Sequence, residues 1–254
     1  MKISVVTLSV RPEGLKIVEK ALRRQTERSF DWVIGTPTKP DVGIEHIWIQ
    51  DPPKPEGLYW QVYRQYNECI RQSRGDLIVS VQDYTYFNPD ALEKFLFYHE
   101  KEPKTLVTGV GNKYTDETWL SKTWQDPRER TDQGTLYGCY YNDIEWNFCA
   151  VPKEAIYAVG GWDETLDKYS SLCGLDVLAR INLIGGYDFK IDQTNKSYSL
   201  EHGRLPNWEE SSPFRGVWQN KLEEYKKQPV LDFLKKGVIL DGIKVEPEKG
   251  EPDA

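Results

Sequence analysis

The sequence predicts an α/β protein, an open and mostly parallel sheet flanked by helices, with a helical extension at its C-terminal end. Strand-like and helix-like periods alternate through about residue 110, which implies parallel strands joined by right-handed crossovers. An apolar run, Leu77-Ile78-Val79-Ser80-Val81, leads straight into Gln82-Asp83-Tyr84, a carboxylate at a strand end. Two glycine pairs, Gly160-Gly161 and Gly185-Gly186, stand where helical patterns stop.

Residues 2–10 read as a buried strand through Ile3, Val5, Val6 and Leu8, and residues 13–25 as a helix with Leu15, Val18, Ala21 and Leu22 on one face. Short strands follow at 31–34 and 46–49, separated by a turn-rich stretch, and the three prolines of 51–57 mark a loop. Between 58 and 72, Leu58, Tyr59, Val62, Tyr66, Cys69 and Ile70 recur at helical spacing. Asn88 is the expected cap of the next helix, with Pro89 at its first position, where the missing N–H costs nothing. Residues 115–138 are polar and show no clean period. With Trp119, Trp124 and the charged run 126–130, they read as a long loop over a site. Helices return at 152–159 and 175–184, a strand at 187–192 and one more helix at 217–227. The expected division is a main domain over 1–205, an extension packing on it over 206–245 and a disordered tail over 246–254.

Composition excludes several classes. The net charge of −7 argues against broad attraction to nucleic acid, which depends on neutralising phosphates with Lys and Arg. No apolar run is long enough to span a membrane and no signal-peptide layout opens the chain, so a soluble, cytoplasmic protein is expected. The four cysteines, Cys69, Cys139, Cys149 and Cys173, lack the CxxC spacing of zinc sites and are expected to be reduced thiols. The Asn195-Lys196-Ser197 sequon is then a chance match. Nine tryptophans and fifteen tyrosines suit sugar rings and bases, and they equally suit a core. A P-loop, a G-x-S-x-G elbow and an HExxH motif are all absent, and Gly109-Val110-Gly111 is too short to be a dinucleotide fingerprint.

Three constellations carry chemistry. In an open α/β sheet ligands collect where strands end, so Asp83 is placed to hold a divalent cation against phosphates; the plain alternative is an Asp that opens a turn. Asp176 opens a helix, where a carboxylate is electrostatically favoured, and is either a cap or a general base; Asp163 and Glu164 either bind hydroxyls or form the turn after Gly161. Glu201-His202-Gly203-Arg204 follows the last expected strand, with His202 a candidate second metal ligand and Arg204 a candidate phosphate partner.

Taken in order, these pieces resemble a GT-A glycosyltransferase of the family 2 type over about residues 2–202. The resemblance rests on Ile3-Ser4-Val5-Val6-Thr7, Asn67, Gly75-Asp76 with Gln82-Asp83-Tyr84 and Pro89-Asp90, Gly160-Gly161-Trp162-Asp163-Glu164, and Asp176-Val177-Leu178-Ala179-Arg180. It implies a nucleotide-sugar donor, a UDP-sugar first among the choices, bound near Thr7, Ser9, Arg11, Asn67, Gln82 and Asp83. It also implies a divalent metal, manganese or magnesium, on Asp83 and His202, and Asp176 as the base of an inverting transfer. Trp162, Asp163, Glu164, Trp119, Trp124 and Arg204 would line the sugar and acceptor site. The chain departs from the family in three places: the usual D-x-D keeps one carboxylate, Gly35-Thr36-Pro37-Thr38 stands where many members carry an acidic turn, and Leu175 replaces the acid before Asp176.

The expected reaction is a single displacement in which Asp176 deprotonates an acceptor hydroxyl and metal on Asp83 neutralises the departing diphosphate. Two rivals are a degenerate GT-A fold that binds glycans or a partner protein, and a nucleotidyltransferase-like enzyme. The second lacks a glycine-rich basic loop after the first strand, where Arg11 is the only nearby cation. No motif names the acceptor, the sugar or the oligomeric state.

Overall fold

The computed structural model describes residues 3–51, 60–169, 173–201, 214–234, 239–240 and 243–244. The strands and helices in chain order are β1 (Ile3–Leu8), α1 (Leu15–Arg23), β2 (Phe30–Thr36), β3 (Ile47–Gln50), α2 (Val62–Gln72), β4 (Leu77–Val81), β5 (Thr85–Phe87) and α3 (Ala91–Lys101). They continue with β6 (Thr105–Tyr114), β7 (Lys122–Trp124), β8 (Leu136–Gly138), β9 (Phe148–Pro152), α4 (Lys153–Ala158), α5 (Cys173–Ile184), β10 (Asp188–Leu200) and α6 (Phe214–Lys227). A short hairpin, β11 (Ile239–Leu240) with β12 (Ile243–Lys244), ends the described chain.

One sheet organises the molecule, in the order β3-β2-β1-β4-β9-β6-β10-β5, with β7 beside β6 and β8 beside β10. The expected α/β architecture is present, but the sheet is mixed: β3, β2, β1 and β4 run parallel to one another, as do β6 and β10. At β9 the direction reverses, because this strand pairs antiparallel with both β4 and β6. The chain reaches β9 from the far side of the sheet through an irregular segment rather than a crossover helix, so nothing forces it to run parallel.

Strand alternation builds a core on each face. Ile3 and Val5 of β1, with Leu77, Val79 and Val81 of β4, pack with Leu15, Val18 and Leu22 of α1 and Leu92 and Phe95 of α3. Val6 and Leu8, one residue out of phase, face Tyr63, Tyr66 and Ile70 of α2 on the other side, where Ala155 of α4 and Val177 and Ile181 of α5 also lie. Each such aliphatic side chain withdrawn from water contributes about 1.5–3 kcal/mol. β1 is buried along its whole length, as a parallel strand covered on both faces must be.

Several boundaries depart from the sequence reading. α3 begins at Ala91, later than a cap at Asn88 implies; the Asn88 carbonyl accepts from Ala91 N–H, while its side-chain amide donates to the Thr194 carbonyl. The strand expected at 187–192 extends through Leu200, with an irregularity between Ile191 and Lys196 that re-registers it against β6. The 115–138 segment is not a free loop. It contributes β7 and β8, and buried Asp126 ties it down by accepting from Gly111 N–H at 2.9 Å and pairing with Arg128. The 246–254 tail and most of the 51–57 loop lie outside the described residues. Among the described residues no helix is long and apolar enough to cross a membrane, and Cys69, Cys139 and Cys149 are free thiols.

Candidate functional site

The order β2-β1-β4 puts the topological switch point between β1 and β4, the place at which open α/β sheets characteristically bind ligands. Ser9, one residue past β1, and Asp83, two past β4, meet across it: the Ser9 hydroxyl donates to Asp83 Oδ2 at 2.7 Å. Arg11 reaches the same carboxylate, with Nη2 3.3 Å from Oδ1. Its own backbone N–H donates to Ser9 Oγ at 2.9 Å, so one hydroxyl serves both partners. Asp83 is nearly closed off, at 3% exposed, whereas the Arg11 side chain is 20% exposed.

Tyr84 fixes this corner. Its φ of 57° lies in the left-handed region, which a bulky side chain adopts only when its surroundings hold it there. Its N–H donates to the Gly14 carbonyl at 3.1 Å and its carbonyl accepts from Leu200 N–H at 3.0 Å. Its hydroxyl donates to Glu13 at 2.5 Å, a bond that holds the Glu13 carboxyl below its usual range, while burial and that same carboxylate push the phenol up to about 12. The Arg11 guanidinium lies 5.3 Å from the ring centroid. A Cβ on Gly14 would overlap the ring, which explains glycine there. Tyr84 stands in the Gln82-Asp83-Tyr84 segment singled out by sequence, but its bracing contacts and Glu13 escaped that reading; helical spacing gives no hint that the end of β4 folds back on residues 11–14.

Thr7 and Gln82 are placed less directly. Thr7 is fully buried and its hydroxyl accepts from Trp32 Nε1 at 3.1 Å, so it joins β1 to β2 instead of lining a pocket. Gln82 is half-buried and donates its N–H to the Asn147 carbonyl.

The second constellation is a buried knot. Gly160 and Gly161 have φ of 75° and 79°, and a Cβ on either would collide, with the Leu231 carbonyl and with Asn67 Oδ1. Asn67 accepts from Trp162 N–H at 2.8 Å and donates to the Trp162 carbonyl at 3.0 Å and to Glu164 at 2.9 Å, so it holds the turn in shape. Trp162 is fully buried, stacked on Tyr66 with centroids 4.9 Å apart and edge-on to Trp146; it is core and not a wall of an acceptor site. Asp163 accepts from Tyr225 Oη at 2.9 Å and pairs with Lys221 at 3.1 Å, both on α6. Burial raises its carboxyl, but the hydrogen bonds from Thr165, Tyr225 and Lys221 outweigh it and hold the group below its usual range. Glu164 has the opposite balance, with burial pushing it up.

Asp176 lies at the centre of this knot, 0% exposed. Arg180, one turn on, donates to both its oxygens, at 2.9 Å from Nε and 2.8 Å from Nη2, and Asp163 N–H donates to Oδ2 at 2.9 Å. Arg180 also donates to the carbonyls of Val159 and Gly161. A carboxylate chelated by a guanidinium and shut away from water offers no oxygen to an acceptor hydroxyl, so Asp176 is an anchor where a base was expected. The Asp-x-x-x-Arg spacing is legible as an i,i+4 pair; that both partners are sealed inside is not.

The expected acceptor tryptophans lie elsewhere. Trp119, at φ 57°, stacks on Tyr86 with centroids 5.9 Å apart and packs edge-on to Tyr114; Trp124, 44% exposed, lies beside Lys113. His202 and Arg204 fall outside the described residues.

A divalent metal does not fit the described residues. Magnesium and manganese take several oxygen ligands in near-octahedral array, whereas here one carboxylate is already covered by a hydroxyl and a guanidinium. Among the described residues no three His, Cys, Asp or Glu side chains converge.

Strand order, switch point and likeness to solved structures define the class: this is the GT-A glycosyltransferase fold. Among solved structures, S. aureus TarS residues 1–349 in complex with UDP superposes with a TM-score of 0.61 at 14% identity, over 92% of this chain and 71% of that one. The same TarS fragment in complex with UDP-GlcNAc gives 0.60 at 11% identity, over 92% and 72%. Another TarS structure gives 0.61 at 12% identity, and the chain spans 43% of it. No family model and no curated protein matches the sequence. At these identities the likeness is one of fold.

Proposed function

We propose that the protein is a nucleotide-sugar-dependent glycosyltransferase of the family 2 type, with its donor crevice at the ends of β1 and β4. The observation that carries the reading is the Ser9–Arg11–Asp83 cluster at the switch point of a GT-A sheet, the fold shared with a protein crystallised with UDP and UDP-GlcNAc. In this reading Arg11 faces the anionic part of the donor, and Ser9 and Asp83 orient it. Negative charge that builds on the leaving nucleotide during transfer is met by a cation already in position. The substrates would be a nucleotide sugar, with a UDP-sugar first, and an acceptor hydroxyl.

A second reading is favoured by one observation, the sealing of Asp176 by Arg180: a GT-A fold that binds a nucleotide sugar or a glycan without transferring. Incubating the protein with UDP-, GDP-, CMP- and dTDP-sugars and following nucleotide release separates the two. Donor-specific release supports transfer. Saturable donor binding with no release, alone or with a panel of saccharide acceptors, supports the binding module. No binding of any donor removes both.

A further inference from the structure

We propose that Arg11 is itself the cation that receives the diphosphate, so that nucleotide binding at this site needs no divalent metal; the inference rests on the donor crevice proposed above. Asp83, which would otherwise carry a metal, is 3% exposed and has Ser9 Oγ on one oxygen and Arg11 Nη2 at 3.3 Å from the other. A metal ligated by that carboxylate would have to displace the guanidinium or share an oxygen with it, placing two positive charges side by side away from bulk water. An incoming anion therefore meets the guanidinium first, since Arg11 is the more exposed partner.

The cation is also held ready. Its backbone is tied to Ser9 Oγ at 2.9 Å, and its guanidinium lies 5.3 Å from the centroid of the Tyr84 ring. That ring is fixed by Glu13 and backed by Gly14. A planar guanidinium matches two phosphate oxygens at once, and a position fixed before binding lowers the ordering cost of the encounter. Asp83 is then a positioning residue that sets the plane of Arg11, and Ser9 the hydroxyl that keeps both in register. The single carboxylate in Gln82-Asp83-Tyr84 follows from this arrangement: with a protein cation in place, a second metal ligand has no task. Tyr84 takes that position and braces the arginine instead.

The test is calorimetric titration of the full chain with UDP, GDP, CDP and dTDP, once in EDTA and once in manganese chloride. The unaltered chain is expected to bind at least one diphosphate with the same affinity in both buffers. Arg11→Gln should weaken that diphosphate by about 10- to 100-fold, as expected for loss of a charge-assisted contact, and leave the affinity for the matching nucleoside unchanged. Arg11→Lys should recover part of the loss. Binding that appears only with manganese overturns the inference and leaves the donor crevice standing, and so does an Arg11→Gln protein that binds like the original. Failure of every diphosphate in both buffers removes the crevice reading itself. The comparison of buffers uses the unaltered chain, so it decides the question even if the variants fold poorly.

Discussion

The cluster at the ends of β1 and β4 and the knot beneath the glycine turn both join carboxylates to an arginine, and they are built for different ends. In the first, Arg11 meets Asp83 at 3.3 Å from one nitrogen and stays 20% exposed. In the second, Arg180 chelates Asp176 with two, neither side chain has any exposure, and Asp163, Lys221 and Tyr225 close the remaining sides. A cation that is partly exposed and meets this carboxylate through one nitrogen can shift towards an arriving anion. A sealed bidentate pair cannot, because separating it leaves two uncompensated charges away from water. The first is suited to binding and the second to holding α4, α5 and α6 in place.

The largest effect is expected where the knot loses one charge. Asp176→Ala strands the Arg180 guanidinium inside and should cost about 3–5 kcal/mol of unfolding free energy, measured by urea denaturation. Asp176→Asn should still be destabilised, by a smaller amount. If Asp176→Asn unfolds at the same urea concentration as the original but no longer transfers sugar, the contrast between the clusters fails and Asp176 returns as the base.

A pH titration probes the same region. Asp167, 4% exposed, accepts from Tyr63 N–H at 2.7 Å and Arg64 N–H at 3.2 Å in the first turn of α2. Burial outweighs those bonds and pushes its carboxyl up to about 7, with Glu164 adding to the shift. The folded state therefore binds the proton more tightly than the unfolded chain. Stability should be highest near and below the unfolded value of 3.8 and fall as pH rises through about 7. Between pH 5 and pH 8 the expected loss from this group is roughly 2–3 kcal/mol. Asp167→Asn should flatten that slope; an unchanged slope would mean that the carboxylate is already ionised in the fold.

A smaller loss is expected from Tyr225→Phe. It removes one donor from buried Asp163 while Lys221 and Thr165 remain, and should cost about 1–2 kcal/mol. The docking of α6 would weaken with it, visible as faster amide exchange in the 231–234 segment, where Leu231 and Leu234 donate to the Val159 and Gly160 carbonyls. Equal exchange in both proteins would show that Lys221 alone holds the extension.

The sequence made the first half of the fold readable because there each element carries its own period: the buried run of β1, the one-sided face of α1, the apolar path into Asp83. It hid the second half. β9 joins two regions distant in sequence, and its direction depends on how the chain returns, which no local pattern encodes. The same division runs through the site. Asp83 is legible as a strand-end carboxylate and Ser9 and Arg11 as candidates to line a donor pocket, but that these three meet is seen only in three dimensions. Thr7, Asn67 and Trp162 look like site residues in a motif, and only the three-dimensional partners, Trp32 for Thr7 and the Gly161-Trp162 turn for Asn67, assign them to packing. Lys221 and Tyr225 left no signal, since they meet Asp163 across about sixty residues of chain.

The smallest expected change in stability is also the most diagnostic. Ser9→Ala removes the hydroxyl that donates to Asp83 and the oxygen that accepts from Arg11 N–H, at a cost of about 1 kcal/mol in folding because Arg11 still faces Asp83. Its effect on nucleotide affinity should be the larger of the two, several-fold by calorimetry with UDP, because the arginine loses the register that aims it into the crevice. Tyr225→Phe should show the reverse, a loss of stability with affinity for UDP intact. Measuring both quantities on both variants sets the two clusters side by side. If Ser9→Ala costs as much stability as Tyr225→Phe and leaves UDP binding untouched, the Ser9–Arg11–Asp83 cluster is one more structural tie, and the partial exposure of Arg11 means nothing for function.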